Sequence, residues 1–214
     1  SLVGSEMCIR DSLTTGSAIY FMKHVLGNGS LLGLFSMMKM FPVIIALIFT
    51  PILVKKTGSM QKVNFWGYVI SDILGIFLII FAMQKNVPMM LLFMFLKGTF
   101  AGTMSGTLNA LIAEISGYTY RTKGVHIDGM MFSCSSLGVK VGGGIGTAAV
   151  GWLLHAAGYA GKAATQTAAA TNMIFSMYIT IPVILGVVIT ILLGLMKVEK
   201  ENKRIDMERA EKAD

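Results

Sequence analysis

The residues of this chain best placed to do chemistry are ionisable groups set inside long apolar runs, and Lys140 is the plainest case. It stands about 13 residues into a run from 127 to 157, roughly 20 Å from the start of a helix that rises 1.5 Å per residue. Its ammonium cannot easily reach water from there. A lysine at mid-helix costs about 2.5–3.5 kcal/mol on insertion scales, so such residues face a bundle interior or an aqueous cavity. At helical spacings of four and seven from it stand Ser133, Ser136, Gly144 and Thr147, which together make one polar, small-residue face. That face suits a solute pathway, with Lys140 as hydrogen-bond donor or fixed charge. The plainer alternative is a lysine paired with a structural carboxylate.

Three further ionisable groups lie within apolar runs: Lys39, Asp72 and Lys97. Asp72 and Lys97 fall at similar depth in consecutive, antiparallel segments, and a buried charge pair with a structural role is expected of them. Lys39 has no evident partner in the sequence and lies about eight residues from the outer end of its run. Catalytic groupings familiar from enzymes do not occur. His24, His126 and His155 are scattered, and no HExxH, GxSxG or P-loop pattern appears. Cys8 and Cys134 have no metal-ligand spacing. The expectation is a chain that is not an enzyme, with no catalytic residue, no metal site and no organic cofactor.

The elements that must position these groups follow from composition. The chain has 214 residues, of which 54% are hydrophobic and only 14% charged, with a mean hydropathy of +0.70. Soluble domains carry about 25% charged residues. Apolar stretches of about 20 residues recur, long enough to cross a hydrocarbon core of roughly 30 Å as helices, the form in which lipid-embedded backbone satisfies itself. Six segments are expected, near 13–27, 31–54, 63–83, 89–115, 127–157 and 172–196, joined by connectors rich in turn residues such as Gly27-Asn28-Gly29-Ser30 and Gly158-Tyr159-Ala160-Gly161. The fold class is therefore all-α, a polytopic membrane bundle of about six transmembrane helices. Glycines at spacing four, Gly98, Gly102 and Gly106 in one segment and Gly142 and Gly146 in another, are expected to let helices pack closely.

Residues 1–12, SLVGSEMCIRDS, lack helical periodicity and the features of a signal peptide. They resemble translated sequencing-adapter sequence and are set apart as a probable non-native leader, so that a transmembrane bundle spans 13–196. The first helix then reads as truncated. The net charge of +7 does not signal nucleic acid, because the basic residues lie between apolar runs rather than on one polar face. They alternate instead. Lys55, Lys56 and Lys62, then Arg121 and Lys123, then the tail 197–214 mark one side, against Lys85 and Lys162 on the other. By the positive-inside rule the carboxyl terminus is expected in the cytoplasm. The charged tail reads as a solvated helix or disordered end.

The stretch AEISGYTYRTKGVHIDGMMFSCSSLGVKVGGGIGTAAVGWLLHAAGY, residues 113–159, resembles the signature region of the glycoside-pentoside-hexuronide:cation symporters, the melibiose-permease-like branch of the major facilitator superfamily. The matching features are Glu114, Tyr118 and Tyr120 with Arg121 and Lys123, the Asp128-Gly129 pair, Ser133 and Lys140, and Gly158-Tyr159. Weaker similarity runs through GSAIYFMKHVLGNGSLLG, PILVKKTG and YITIPVILGVVI. The chain departs from the pattern at Gly117, at Gly124-Val125-His126, and at Ser105 near the place of a tryptophan used by some sugar-transporting members. The resemblance implies the carboxy-terminal six helices of a twelve-helix transporter in a prokaryotic inner or plasma membrane. It implies cation-coupled symport of a sugar, glycoside, hexuronide or similar small solute by alternating access. Glu114, Arg121, Lys123 and Asp128 would then help close the cytoplasmic side. The coupling sodium or proton would bind mainly in an amino-terminal half not present here, and the implied partners are the lipid bilayer, the solute and that half. A membrane-embedded enzyme or a non-transporting membrane scaffold are the alternatives from other classes.

Overall fold

The computed structural model describes residues 2–163, 165–196, 199, 201, 202, 204, 205 and 207. Its elements in chain order are α1 (Leu2–Tyr20), which runs into a π-helical turn (Phe21–Val25), α2 (Leu31–Thr57), α3 (Met60–Met83), α4 (Val87–Ala101), α5 (Thr103–Lys123), α6 (Asp128–Ala156), and α7 (Ala168–Phe175), which passes through a second π-helical turn (Ser176–Thr180) into α8 (Ile181–Leu195). Counting α4–α5 and α7–α8 as single bent spans, five helices among the described residues are long and apolar enough to cross a membrane. The first helix carries Glu6, Arg10 and Asp11 near its start and does not reach that apolarity. The chain is a multi-pass membrane protein.

Residues 2–12, expected to stand apart as a leader, are in the structure the first turns of α1 and lie against α6. That placement reports the shape those residues take beside α6, not where they come from. Two expectations are corrected. The helix after Ala101 was expected to end near 115, where apolarity ends, but α5 continues to Lys123, so Tyr118, Tyr120, Arg121 and Lys123 stand on a helix and not in a loop. A helix needs no apolar side chains once it leaves the hydrocarbon, so the stop signal is Gly124. It takes φ +69, open to glycine at no steric cost, and its N–H closes on the Tyr120 carbonyl at 2.9 Å.

The second correction concerns the tail, which is not solvated all round. The Glu199 carboxylate accepts from the Gln61 backbone N–H at 2.8 Å, in the first turn of α3 where the helix dipole favours an anion. Asn202 Nδ2 donates to the Glu114 carbonyl at 3.0 Å. Both tail residues are buried.

Glycine decides where the helices come closest. A methyl group at Gly102 would sit 2.7 Å from Ala46 Cβ, and one at Gly98 would sit 3.0 Å from Pro42, so this stripe seats the α4–α5 span on α2. At Gly67 the α3 backbone meets α4: a Cβ there would be 2.7 Å from the Phe100 carbonyl oxygen. Gly142 and Gly146 do the same for α6 against α1, facing Ser5, Ile9 and Ser12. Two apolar cores result. One gathers Phe21, Phe35, Leu78, Met90, Ile174 and Met177 at one end of the bundle, the other Tyr68, Met104, Leu111, Ile189 and Leu193 toward the opposite end.

Candidate functional site

A cavity of about 680 Å³ opens among α1, α2, the α4–α5 span and the π-helical turn before α8. Polar groups reach it from each wall: Thr14 and Thr15 from α1, Ser36 and Lys39 from α2, Ser105 from α5 and Tyr178 from the π-helical turn. Lys39 donates through Nζ to Thr15 Oγ1 at 2.9 Å. An adjoining recess of about 110 Å³ is lined by both Lys39 and Lys97, so two ammonium groups from different helices reach one space. Arg10 and Asp11 also line it, as a weak pair 3.6 Å apart.

Local sequence explains how Tyr178 comes to be there. Pro182 has no N–H to offer the carbonyl four residues back, and its ring crowds that carbonyl. The helix widens into a π-helical turn just where Tyr178 sits. The tyrosine ring stacks on Phe21, with centroids 4.5 Å apart, and its hydroxyl lies 3.9 Å from Met94 Sδ. On α2, Pro42 bends the helix one turn beyond Lys39 and packs on Gly98.

Behind the cavity lies the second group of charges. Asp72 is buried on α3 and accepts from Thr190 Oγ1 of α8 at 2.6 Å. The approach needs Gly186, where a methyl group would overlap the carboxylate. Lys97 lies about 15 Å into the α4–α5 span and Asp72 about 17 Å from the same end of α3. The lysine Nζ comes to rest beside Gly75, one turn from Asp72, at 3.2 Å from where a Cβ would stand. The two charges are within electrostatic reach of one another, but among the described residues no direct ion-pair contact joins them. Nearby, Asn64 Nδ2 donates to Thr107 Oγ1 at 2.7 Å and ties α3 to α5.

The face singled out first in the sequence lies elsewhere. Lys140, Ser133, Ser136, Gly144 and Thr147 are all exposed on α6, opposite the buried Gly142, Gly146, Val150 and Leu154. None of the five lines the cavity between α1 and α2, and among the described residues nothing bonds to the Lys140 ammonium. Thr147 Oγ1 turns back to the Gly143 carbonyl of its own helix at 2.9 Å. A polar stripe with a mid-span ammonium is thus left on the open side of the bundle.

Glu114, Arg121 and Lys123 stand on the last turns of α5 and Asp128 opens α6, so all four gather at the end of the bundle that also holds Lys55, Lys56 and Lys62. Asp128 lies 3.7 Å from His126, whose ring stacks on Tyr120 at 4.0 Å. At the far end Tyr159 closes the loop after α6 over the end of the first helix, edge-on to Tyr20 at 5.2 Å and 3.2 Å from His24 Nε2. Residues that sequence reasoning did not single out are Thr14, Thr15, Ser36, Tyr178 and Thr190. Only Tyr178 had a signal, the proline four positions later.

Among protein families, the one described as MFS/sugar transport protein matches residues 9–200. The chain is 28% identical over 182 residues to an isoprimeverose transporter of Lactiplantibacillus pentosus, covering 85% of this chain and 37% of that one. It is 24% identical over 183 residues to a putative glycoside/cation symporter of Escherichia coli, covering 85% of this chain and 39% of that one. An uncharacterized 29.9 kDa protein of Pseudescherichia vulneris is 27% identical over 174 residues, 80% of this chain and 62% of that one. The chain therefore spans less than two thirds of the length of each of these relatives. No solved structure matches it significantly.

Proposed function

Because this chain belongs to the MFS/sugar transport protein family, in the branch of the glycoside–cation symporters, we propose that it is the carboxy-terminal half of a secondary active transporter. The transporter carries a sugar, glycoside, hexuronide or similar small solute across a prokaryotic inner or plasma membrane, coupled to sodium or proton movement. In such folds two six-helix halves rock about a midplane site. The partner of this half is an amino-terminal six-helix bundle, which holds most of the coupling-cation ligands. The carboxyl terminus lies in the cytoplasm. The relatives carry transporter names, which favours a carrier over an enzyme.

The observation that carries this reading is the α6 face. A mid-span lysine with serine, threonine and glycine beside it is left open, although hydrocarbon is the costliest place to leave it. A second half docked on that side, with a watery solute path between the halves, accounts for it. Lys140 then acts as donor or fixed charge toward the solute, with Ser133, Ser136, Gly144 and Thr147 giving it room. Glu114, Arg121, Lys123 and Asp128 serve as the cytoplasmic closure, and the Asp72–Lys97 cluster braces α3, α4 and α8.

The test is uptake of labelled glycosides by the full-length protein in cells. Lys140→Ala is expected to cut kcat/KM about tenfold or more with the amount of protein in the membrane unchanged. Full uptake by that variant contradicts the role given to Lys140.

A further inference from the structure

The cavity between α1, α2 and the α4–α5 span, as distinct from the α6 face, has a charge balance that its transport role does not by itself explain. Lys39 and Lys97 both reach the smaller recess, from helices that meet at the glycine stripe. The buried acid Asp72 lines neither space, because Thr190 and Gly186 hold it on the far side of α3. Arg10 and Asp11 line both spaces and offset one another at 3.6 Å, so the recess keeps two positive charges, those of Lys39 and Lys97. Lys39 is the one of the two that also lines the larger cavity. Its hydrogen bond is to a neutral hydroxyl, that of Thr15, at 2.9 Å, and no ion pair to it is found among the described residues. An ammonium at this depth requires a partner of opposite sign or water.

Taking the transport reading above as its basis, we infer that this cavity receives a solute carrying a carboxylate, a sugar acid rather than a neutral sugar, and that Lys39 is the residue that selects it. The volume of about 680 Å³ falls within the range of small-molecule sites, which fix orientation with a few placed polar groups on largely apolar walls. A charge-assisted bond from an ammonium to a carboxylate is roughly twice as strong as one between neutral groups. Lys39 has three N–H donors, one of them on Thr15, which leaves two for a carboxylate. Thr14, Ser36 and Ser105 are placed for the solute hydroxyls, and Lys97, farther in, adds to the positive field without leaving Asp72. A hydrogen-bonding site built this way also discriminates against the analogue that lacks the charged group.

The experiment uses the full-length transporter in proteoliposomes with two labelled probes that differ only at C6, methyl β-D-glucuronide and methyl β-D-glucoside. The wild type is expected to take up the glucuronide with a kcat/KM about tenfold or more above that of the glucoside. Lys39→Gln is expected to erase the preference by raising KM for the glucuronide about tenfold with kcat little changed, the mark of lost ground-state binding. Lys39→Arg, which keeps the charge, should recover part of it. A wild type that prefers the glucoside overturns the inference and leaves the transporter reading intact. So does a Lys39→Gln variant that loses both substrates equally, since Lys39 would then be paired with a carboxylate of the protein itself. Uptake of neither probe by the wild type overturns the inference, while the transporter reading stands or falls on the wider set of glycosides in the uptake test above. The wild-type preference decides the matter even where Lys39→Gln fails to fold.

Discussion

Lys97 and Lys140 lie at comparable depth in their spans, yet one is folded into the bundle and the other is left outside it. Lys97 is drawn between α3 and α8, beside Gly75 and Val183, while Lys140 stands on the open face of α6. The difference follows from where each helix keeps its glycines. With about 100° per residue, Lys97 lies a quarter-turn from Gly98, whose face is closed by α2. Lys140 lies about 200° from Gly142, whose face is closed by α1. A glycine stripe marks the side of a membrane helix that another backbone covers, and a charged residue opposite the stripe is turned away from that neighbour. Depth tells that a lysine needs a polar surrounding. The angle to the glycines tells whether this bundle supplies it.

The contrast breaks most easily on stability. Replacing Lys97 by Met leaves the buried Asp72 carboxylate with Thr190 as its donor and without the stronger of the two cations that act on it, Lys97 and Arg10, and is expected to lower stability by on the order of 3 kcal/mol. Replacing Lys140 by Met should change it by no more than about 0.5 kcal/mol. Thermal unfolding of the full-length protein in detergent measures both, and equal losses would remove the distinction between the two lysines.

Glycines give the next largest effect. Gly102→Ala forces a methyl group to 2.7 Å from Ala46 Cβ and should cost about 1–3 kcal/mol by overpacking. Gly144→Ala, with open space around it, should be close to neutral. The same unfolding measurement compares them. The smallest expected effect is that of Thr190→Val, which removes the hydroxyl held at 2.6 Å from Asp72. Interhelical side-chain hydrogen bonds in membranes average about 0.6 kcal/mol, so a loss greater than that measured for Lys97→Met would mean that Asp72 depends on Thr190 more than on Lys97.

Much of the architecture was legible before any coordinates, because apolar length and the turn residues Gly58, Gly124 and Gly158 act locally. Their positive φ values, +64, +69 and +70, fall where the connectors were expected. What escaped was set by contacts distant in sequence. Thr15 is an ordinary threonine until α2 brings Lys39 to it. Glu199 and Asn202 sit in a stretch without an apolar stripe, and they dock through single hydrogen bonds to Gln61 and Glu114 that leave no periodic trace. The polar end of α5 was mistaken for a loop because its end was judged by apolarity, and not by Gly124. The Lys140 stripe itself was readable from spacing alone. That it would stand apart from the cavity around Lys39 required knowing which face of α6 meets α1.

The account rests on the open face of α6 lining a path between two halves. The most direct measurement places a single cysteine at Ser136 of the full-length transporter, with Cys134 and any other native cysteine replaced by serine, and follows its labelling by a membrane-impermeant maleimide. The account predicts labelling through water at a rate that shifts several-fold when transported solute is added, as the two halves rock. No labelling, or a rate indifferent to solute, would place this face against lipid or a fixed neighbour and contradict it.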